Sequence, residues 1–551
     1  MTHWIITPIV LPAMMAAFNV LVLRHHMTLE RVFSMASMVA LLGIAAGLFY
    51  GASDGTMTLY QLGNWAAPFG IVLVGDRLST LFVLLTAILA VLVLLYAIGS
   101  GWDKRGKHFH ALFQFQVMGI MGAFLTGDAF NLFVFFEVLL IASYGLMIHA
   151  GGADRFRVGV QYVVFNLLGS TLFLFALGTI YAETGTLNMA DLAQRIAALP
   201  ADHTAGLRVG AVLLLMVFAI KAAILPLHFW LPSAYATAPA PVAALFAIMT
   251  KVGAYAIIRF FTLVFPPELT ITQGLFDTWL LPAALLTLAL GMIGVLAARQ
   301  LDRLVAFSVI GSMGMLMAAV AVFTHAGITA ALYYALNSTF ATAALFLIVD
   351  VVRTRRAQNS VALQAEAPIA GGALIAGMFF AAAIAMAGLP PLSGFVGKLM
   401  ILEATFDSPL VWWVWAVVLG SSLVAVVGFA RAGSTLFWKS HAIEGDPYCA
   451  DDPEDDQAEH ELRDPTEAVP ALPVIAIGGL LACLVAITVF AGPIQRQLSA
   501  TADQLFDTAP YISLVLETPG RAIKDSHGAD GEDHSADADH AEPPAMGEKE
   551  H

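Results

Sequence analysis

Asn131-Leu-Phe-Val-Phe-Phe-Glu137-Val-Leu-Leu-Ile-Ala-Ser-Tyr144 holds one carboxylate in a run that is apolar or aromatic on every helical face. A helix on the surface of a soluble protein pairs an apolar stripe with a polar one, and this stretch has no such division. It lies within 129–149, long enough to cross a hydrocarbon core of about 30 Å, which takes roughly 20 apolar residues. Ionisable groups inside a bilayer are costly and by default mark the path of an ion or substrate. The stretch therefore reads as a spanning helix whose carboxylate either carries a proton or sits beside a cation.

The same rule, applied outward, gives spans near 4–23, 31–50, 77–99, 109–127, 129–149, 158–182, 207–227, 240–263, 275–298, 303–323, 327–349, 367–404, 411–433 and 470–492. The fold class is thus an all-α polytopic membrane protein with about 14 spans. Composition agrees: of 551 residues, 59% are hydrophobic and 12% charged, against roughly 25% charged in ordinary soluble domains. The first apolar segment lacks a basic stretch before it and a small-residue cleavage site after it, and reads as a span and not as a cleaved signal. The segment 367–404 is too long for one straight helix, and Gly388-Leu-Pro-Pro391 breaks it, because proline lacks an N–H and clashes with the preceding turn.

Arg24 and Arg31, Lys104, Arg105 and Lys107, Arg155 and Arg157, Arg299 and Arg303, and Arg353, Arg355 and Arg356 occupy alternate loops. By the positive-inside rule those loops are cytoplasmic, and an even span count leaves both termini on the non-cytoplasmic side. Two acidic stretches, 441–470 and 521–551, together outweigh the net charge of −14, so the remainder is near neutral. No basic patch suited to neutralising phosphates along a nucleic acid stands out. The two cysteines, Cys449 and Cys483, imply no disulfide framework or thiolate metal cluster. The stretch from about 521 has no apolar period and reads as disordered.

Four ionisable residues fall deep in spans: Glu137, Lys221 in Met216-Val-Phe-Ala-Ile-Lys221-Ala-Ala-Ile-Leu-Pro226, Lys251, and Lys398 just beyond the Gly388–Pro391 break. Lys221 precedes a proline and Lys398 follows one, and an unwound turn at such a point frees backbone carbonyls for ions or water. A static salt bridge is the plainer account of such charges, but three lysines face one deep carboxylate. For Lys398, snorkelling to an interface is a further plain account. His228 lies near a span end, where a proton relay and simple packing are both open. Thr250, Ser308, Ser312, Asn337, Ser338 and Thr339 could line a wet path or bond neighbouring helices. Asp128, Arg259, Asp302, Arg303 and Asp350 lie at span ends, where interface anchoring accounts for them.

Three stretches carry a family resemblance: Gly127-Asp-Ala-Phe-Asn-Leu-Phe-Val-Phe-Phe-Glu137-Val-Leu-Leu-Ile-Ala-Ser-Tyr-Gly145, Leu227-His-Phe-Trp-Leu-Pro232 through Thr250-Lys251-Val-Gly-Ala-Tyr255 to Arg259, and Gly388-Leu-Pro-Pro-Leu-Ser-Gly-Phe-Val-Gly-Lys398. Over about residues 1–440 the chain resembles the antiporter-type membrane subunits of respiratory NADH:quinone oxidoreductase, membrane-bound hydrogenases and Mrp-type cation/proton antiporters, the Mrp D subunit above all. The resemblance implies two inverted five-helix repeats with broken helices 7 and 12. It implies a Glu137–Lys221 ion pair and a hydrophilic axis continued by Lys251 and Lys398, all four serving proton translocation. Gln300-Leu-Asp302-Arg303-Leu resembles a feature near the start of span 10. Where many relatives carry a histidine and, four residues on, a lysine in span 11, this chain has Asn337 and Ala341, so that relay is absent.

The resulting division is 1–108, an N-terminal three-helix segment; 109–263 and 275–433, the two repeats; 434–469, an acidic cytoplasmic loop; 470–492, the last span; and 493–551, a non-cytoplasmic tail. The resemblance implies a non-enzymatic subunit of a bacterial inner-membrane complex that exchanges Na+ or K+ for H+. It also implies partner subunits, among them a larger homologous one, and no cofactor; no metal site is assigned. A proton-pumping subunit of a quinone oxidoreductase or membrane-bound hydrogenase shares the same axis. A self-sufficient solute transporter and a structural scaffold are more distant readings.

Overall fold

The computed structural model describes residues 2–199, 205–356, 360–366, 368–369, 371–439 and 469–520. The acidic stretch 441–468 and the tail from 521 lie outside the described residues. Nineteen α-helices occur among those described: α1 Thr7–Phe18, α2 Met27–Ala52, α3 Arg77–Ser100, α4 Phe109–Leu125, α5 Ala129–Met147, α6 Ala153–Thr184, α7 Met189–Ala198, α8 Ala205–Lys221, α9 Trp230–Thr237, α10 Ala240–Leu263, α11 Leu281–Ala297, α12 Leu301–Ala321, α13 His325–Arg353, α14 Gly372–Ala387, α15 Ser393–Ala404, α16 Val411–Gly433, α17 Ala471–Val489, α18 Ala491–Phe506 and α19 Ala509–Glu517. Ten helical segments are long and apolar enough to cross a membrane by length and composition, and three shorter apolar ones accompany them. The protein is a multi-pass helical membrane protein.

One departure from an all-helical body is a small antiparallel hairpin, β1 Thr58–Gln61 with β2 Val72–Gly75, in the register Thr58↔Gly75 to Gln61↔Val72. α7, α18 and α19 were likewise absent from the span reading. α7 and α18 carry apolar residues on one side only and are too short to cross a membrane.

Helix starts follow local chemistry. The Asp76 side chain accepts the Ser79 N–H at 2.8 Å, and the Ser79 hydroxyl accepts the Asp76 N–H at 2.9 Å, a reciprocal capping box that opens α3. Asp128 accepts the Asn131 N–H at 2.8 Å, which separates α5 from α4 at the Gly127-Asp128 pair.

Burial runs from the middle outward. The most hydrophobic windows of α10 and α13 are fully buried and that of α12 is 94% buried, whereas those of α2, α6 and α16 are only 28%, 39% and 33% buried. The outer helices turn Val164, Phe175, Trp412 and Leu423 to their surroundings, as lipid-facing helices do. α10, α12 and α13 form a protein-enclosed centre, where polar groups can be kept from lipid.

Two interruptions open next to that centre. α8 stops at Lys221, Ala223 takes a left-handed φ of 55°, and helix resumes at Trp230. The gap's polar groups are met locally: the Trp230 indole N–H donates to the Ile220 carbonyl at 3.1 Å, and the Leu225 N–H to the Thr287 hydroxyl at 2.9 Å. α14 stops at Ala387, Gly388 takes φ of 75°, and helix resumes at Ser393 after Pro390 and Pro391. A Cβ on Gly388 would fall 2.4 Å from Lys398 Cδ, so glycine serves both the turn and the close approach of the lysine stem.

Candidate functional site

Glu137 projects from α5 toward α6, where its carboxylate accepts a short hydrogen bond from the Ser170 hydroxyl. Lys221, the last residue of α8, donates from Nζ to Asn166 Oδ1 at 3.2 Å and lies 6.0 Å from the centre of the Phe136 ring. Asn166 and Ser170 stand four residues apart on α6 and so share a face, and the Ser170 hydroxyl also lies 3.1 Å from the Asn166 carbonyl. The direct Glu137–Lys221 ion pair that the resemblance implies is not formed; each charge bonds its own neutral side chain, Ser170 or Asn166, on one face of α6.

Lys251 sits at the middle of α10 with no exposure, and its Nζ has no hydrogen-bond partner among the described residues. The neighbouring Thr250 hydroxyl is also without one. α10 packs on α13, and α13 packs on α15. Asn337 on α13 accepts the Ser393 hydroxyl at 2.8 Å and donates toward the Ala385 carbonyl at 3.4 Å, reaching both lips of the second break. Lys398 on α15 reaches back into that break. Its Nζ donates to the Ala387 carbonyl at 2.5 Å and to the Ser422 hydroxyl of α16 at 2.9 Å. It is 5% exposed, so the snorkelling account does not describe it.

The accessory positions divide. Ser308 and Ser312 donate to Val305 and Val309 of their own helix, leaving only lone pairs for any other partner. Asp302 pairs with Arg353 at 2.8 Å, at the ends of α12 and α13, and Arg303 is exposed. His228 is half-buried beside Phe229, its Nδ1 unpartnered among the described residues. Arg259 departs from the interface-anchor reading: it is 5% exposed and pairs with Asp76 at 2.6 Å, two turns beyond Lys251 on α10. Asp350 is also buried and accepts from the Tyr96 hydroxyl and the Trp102 indole N–H, each at 2.8 Å.

Outside the spans, charge is set by burial against partners. Burial pushes Asp128 above the usual carboxylate range, despite backbone N–H donors at its helix start. Burial also acts upward on Asp103, but hydrogen bonds from His110 and Arg31 hold it below that range. Its Arg31 contact is bidentate, at 2.5 and 2.7 Å. Among the described residues no group of three or more His, Cys, Asp or Glu is placed to hold a metal ion.

A helical membrane body with Lys221, Lys251 and Lys398 buried inside it defines a polytopic membrane protein. The chain belongs to the family described as NADH:quinone oxidoreductase/Mrp antiporter, transmembrane, whose profile matches residues 126–424. It is 38% identical to the D subunit of a probable K+/H+ antiporter of Rhizobium meliloti, covering 94% of this chain and 98% of that one. It is 36% identical to the D subunit of the Na+/H+ antiporter of Alkalihalophilus pseudofirmus, covering 94% and 100%. Among solved structures it superposes on a chain of the Mrp complex of a Dietzia species with a TM-score of 0.82 at 26% identity, covering 94% of this chain and 100% of that one. It shares its fold with a chain of respiratory complex I from Thermus thermophilus, with a TM-score of 0.75 at 23% identity over 92% and 99%.

Asn166, Ser170 and Ser422 escaped the sequence reading because neutral polar residues in apolar helices more often join helices than serve charges. The i, i+4 spacing of Asn166 and Ser170, one helix on from Glu137, was the available signal.

Proposed function

We propose that this chain is the D-type subunit of a cation/proton antiporter complex that uses the proton gradient to exchange Na+ or K+. The observation that carries the reading is its likeness along nearly its whole length to D subunits named for that exchange in two bacteria. The placement of three buried lysines and one glutamate supports it.

In this reading protons reach Glu137 and Lys221, which Ser170 and Asn166 of α6 hold by one hydrogen bond each. A buried amine without a counter-charge, as Lys251 is, takes and gives up its proton according to its neighbours' charges. Asn337 and Ser393 then link toward Lys398, whose contacts with Ala387 and Ser422 hold it at the second break. Thr250, Ser308 and Ser312 supply polar lining, and His228, Asp302 and Arg303 belong to the approaches. Each elementary charge moved across the membrane draws about 2.3 kcal/mol per 100 mV, so unequal proton and cation counts make exchange electrogenic.

The fourteen spans are α1 to α6, the interrupted α8–α9, α10 to α13, the interrupted α14–α15, α16 and α17. The repeats run over 109–263 and 275–433 in inverted orientation, with the interrupted helices as spans 7 and 12. Residues 1–108 form the N-terminal segment, 434–469 the cytoplasmic loop, 470–492 the last span and 493–551 the tail, both termini being non-cytoplasmic. Lys104, Arg105, Arg155, Arg353 and Arg355, drawn from three basic loops, line one cavity, which supports a common side for those loops. The partners are the other subunits of the complex, a larger homologous one among them.

A redox-driven proton pump is the second reading, favoured by 25% identity and a TM-score of 0.81 to a chain of an archaeal membrane-bound sulfane sulfur reductase. Cation-induced proton flux in everted vesicles separates the two. Vesicles come from antiporter-deficient cells making this chain with its operon neighbours. Na+ or K+ collapses the gradient with wild type but not with equally assembled Glu137→Ala or Lys221→Ala. No cation response from the fully assembled wild type would move the reading to the redox pump.

A further inference from the structure

At one end of the bundle, away from the charged axis, lies a cavity of about 940 Å3. Its wall carries Lys104, Arg105, Arg155, Arg353 and Arg355 and, among the described residues, one carboxylate, that of Asp350. That carboxylate is turned to the protein, where one of its oxygens takes both the Tyr96 and the Trp102 hydrogen bonds. Arg353 shares its charge with Asp302, so the positive charge at issue is that of Lys104, Arg105 and Arg155.

Two of the guanidiniums are positioned by one indole. Arg105 lies 4.2 Å and Arg155 5.4 Å from the Trp102 ring centre, within cation–π range. Arg155 is also fixed by donating to the Gly151 carbonyl at 3.0 Å and the Thr237 carbonyl at 3.2 Å. Trp102 itself is 2% exposed and tied to Asp350, so the platform is rigid. Preset guanidinium forks match the paired oxygens of a phosphate, and a concave site strengthens the attraction by excluding water. Val351, Pro470 and Pro473 complete the lining with apolar surface. The cavity lies where α3 and α13 end and α6 and α17 begin, all of them helices long and apolar enough to cross a membrane.

We propose that this cavity is a phosphate-binding site, taking the phosphate of an anionic phospholipid headgroup or a free phosphate anion, with Lys104, Arg105 and Arg155 as its principal ligands. The site stands apart from Glu137, Lys221, Lys251 and Lys398, and holds whether or not the transport reading does.

The test uses the full chain purified with its partner subunits in phosphatidylcholine nanodiscs. One arm adds phosphatidylglycerol and reads retained lipid per protein by native mass spectrometry; the other measures radiolabelled inorganic phosphate binding without anionic lipid. Lys104→Gln/Arg105→Gln/Arg155→Gln lowers the apparent affinity for the bound species by about tenfold or more. Arg105→Lys weakens it less, and Arg157→Gln, outside the cavity lining, leaves it unchanged. Rising salt weakens wild-type binding. Variant dependence in the lipid arm identifies a headgroup and in the phosphate arm a free anion; either supports the site. Should the triple variant misassemble, the Arg105→Gln and Arg157→Gln pair decides alone. Wild type binding neither species, or binding unaffected by Arg105→Gln, overturns the proposal.

Discussion

At the scale of single residues, Glu137 and Lys221 are each bonded by a neutral side chain of α6, Ser170 and Asn166. That makes their replacement informative, because no net charge changes. Ser170→Ala removes the donor to Glu137, and a hydrogen bond to a charged group contributes about 1.5–3 kcal/mol. Cation-induced proton flux is expected to fall about tenfold or more at equal assembly, with Ser170→Thr restoring much of it. An unchanged rate with Ser170→Ala would remove the Ser170–Glu137 bond from the pathway. The Arg31–Asp103–His110 cluster carries a pH dependence of known sign. Asp103 is held below its ordinary value in the folded chain, so its contribution is complete above the unfolded carboxylate value of about 3.9. It is lost as pH falls through the lower folded value. Asp103→Asn should therefore cost about 2 kcal/mol at neutral pH, discounted for the part-exposed Arg31. Melting of the purified protein should show the gap between wild type and variant closing only in strong acid.

At the scale of elements, the two interruptions use different devices for one end. At α8 the lysine closes the helix before the gap; at α15 it reaches back from beyond the gap. Gly388→Ala places a Cβ against the Lys398 stem at a left-handed φ, and strain of this kind costs about 1–3 kcal/mol. Both thermal stability and exchange should drop, and a variant with wild-type melting and flux would show that the second break tolerates rearrangement. Much of this was legible beforehand. Spans announce themselves by length and hydropathy, and charges in apolar runs stand out because lipid makes them costly. The break at Gly388–Pro391 is written in proline. The pairing of Arg259 with Asp76 was not legible, because each sits near a span end, where an ordinary interface role suffices and only the fold brings α10 to the start of α3. The β1–β2 hairpin was hidden for a related reason: two four-residue strands carry too short a pattern to read. α18 and α19 fell in a stretch whose composition resembles a tail, and their order comes from docking on the bundle.

For the whole molecule, the gradient of burial separates two solvents. α10, α12 and α13 meet almost only protein, while α2, α6 and α16 leave most of their apolar windows uncovered by this chain. Leu423, 66% exposed on α16, directly follows Ser422, which bonds Lys398. One step along the helix thus passes from a partner of Lys398 to the chain's outer face. An arginine at the centre of a spanning helix costs about 2.5–3.5 kcal/mol on insertion, so Leu423→Arg should reduce membrane-integrated protein severalfold, and Leu423→Phe should not. Quantitative fractionation checks this, and equal yields would mean that α16 is covered by another protein chain.

α18 and α19 fasten down parts made much earlier in the chain. Gln504 of α18 donates to the Gly55 carbonyl and accepts from the Arg77 N–H, and Gln61 of the hairpin donates to the Thr518 carbonyl. Tyr511 of α19 lies 5.5 Å from the Arg259 guanidinium, over the buried pair with Asp76. A chain lacking α18 and α19 loses these ties, and the Arg259–Asp76 pair loses the cover of Tyr511.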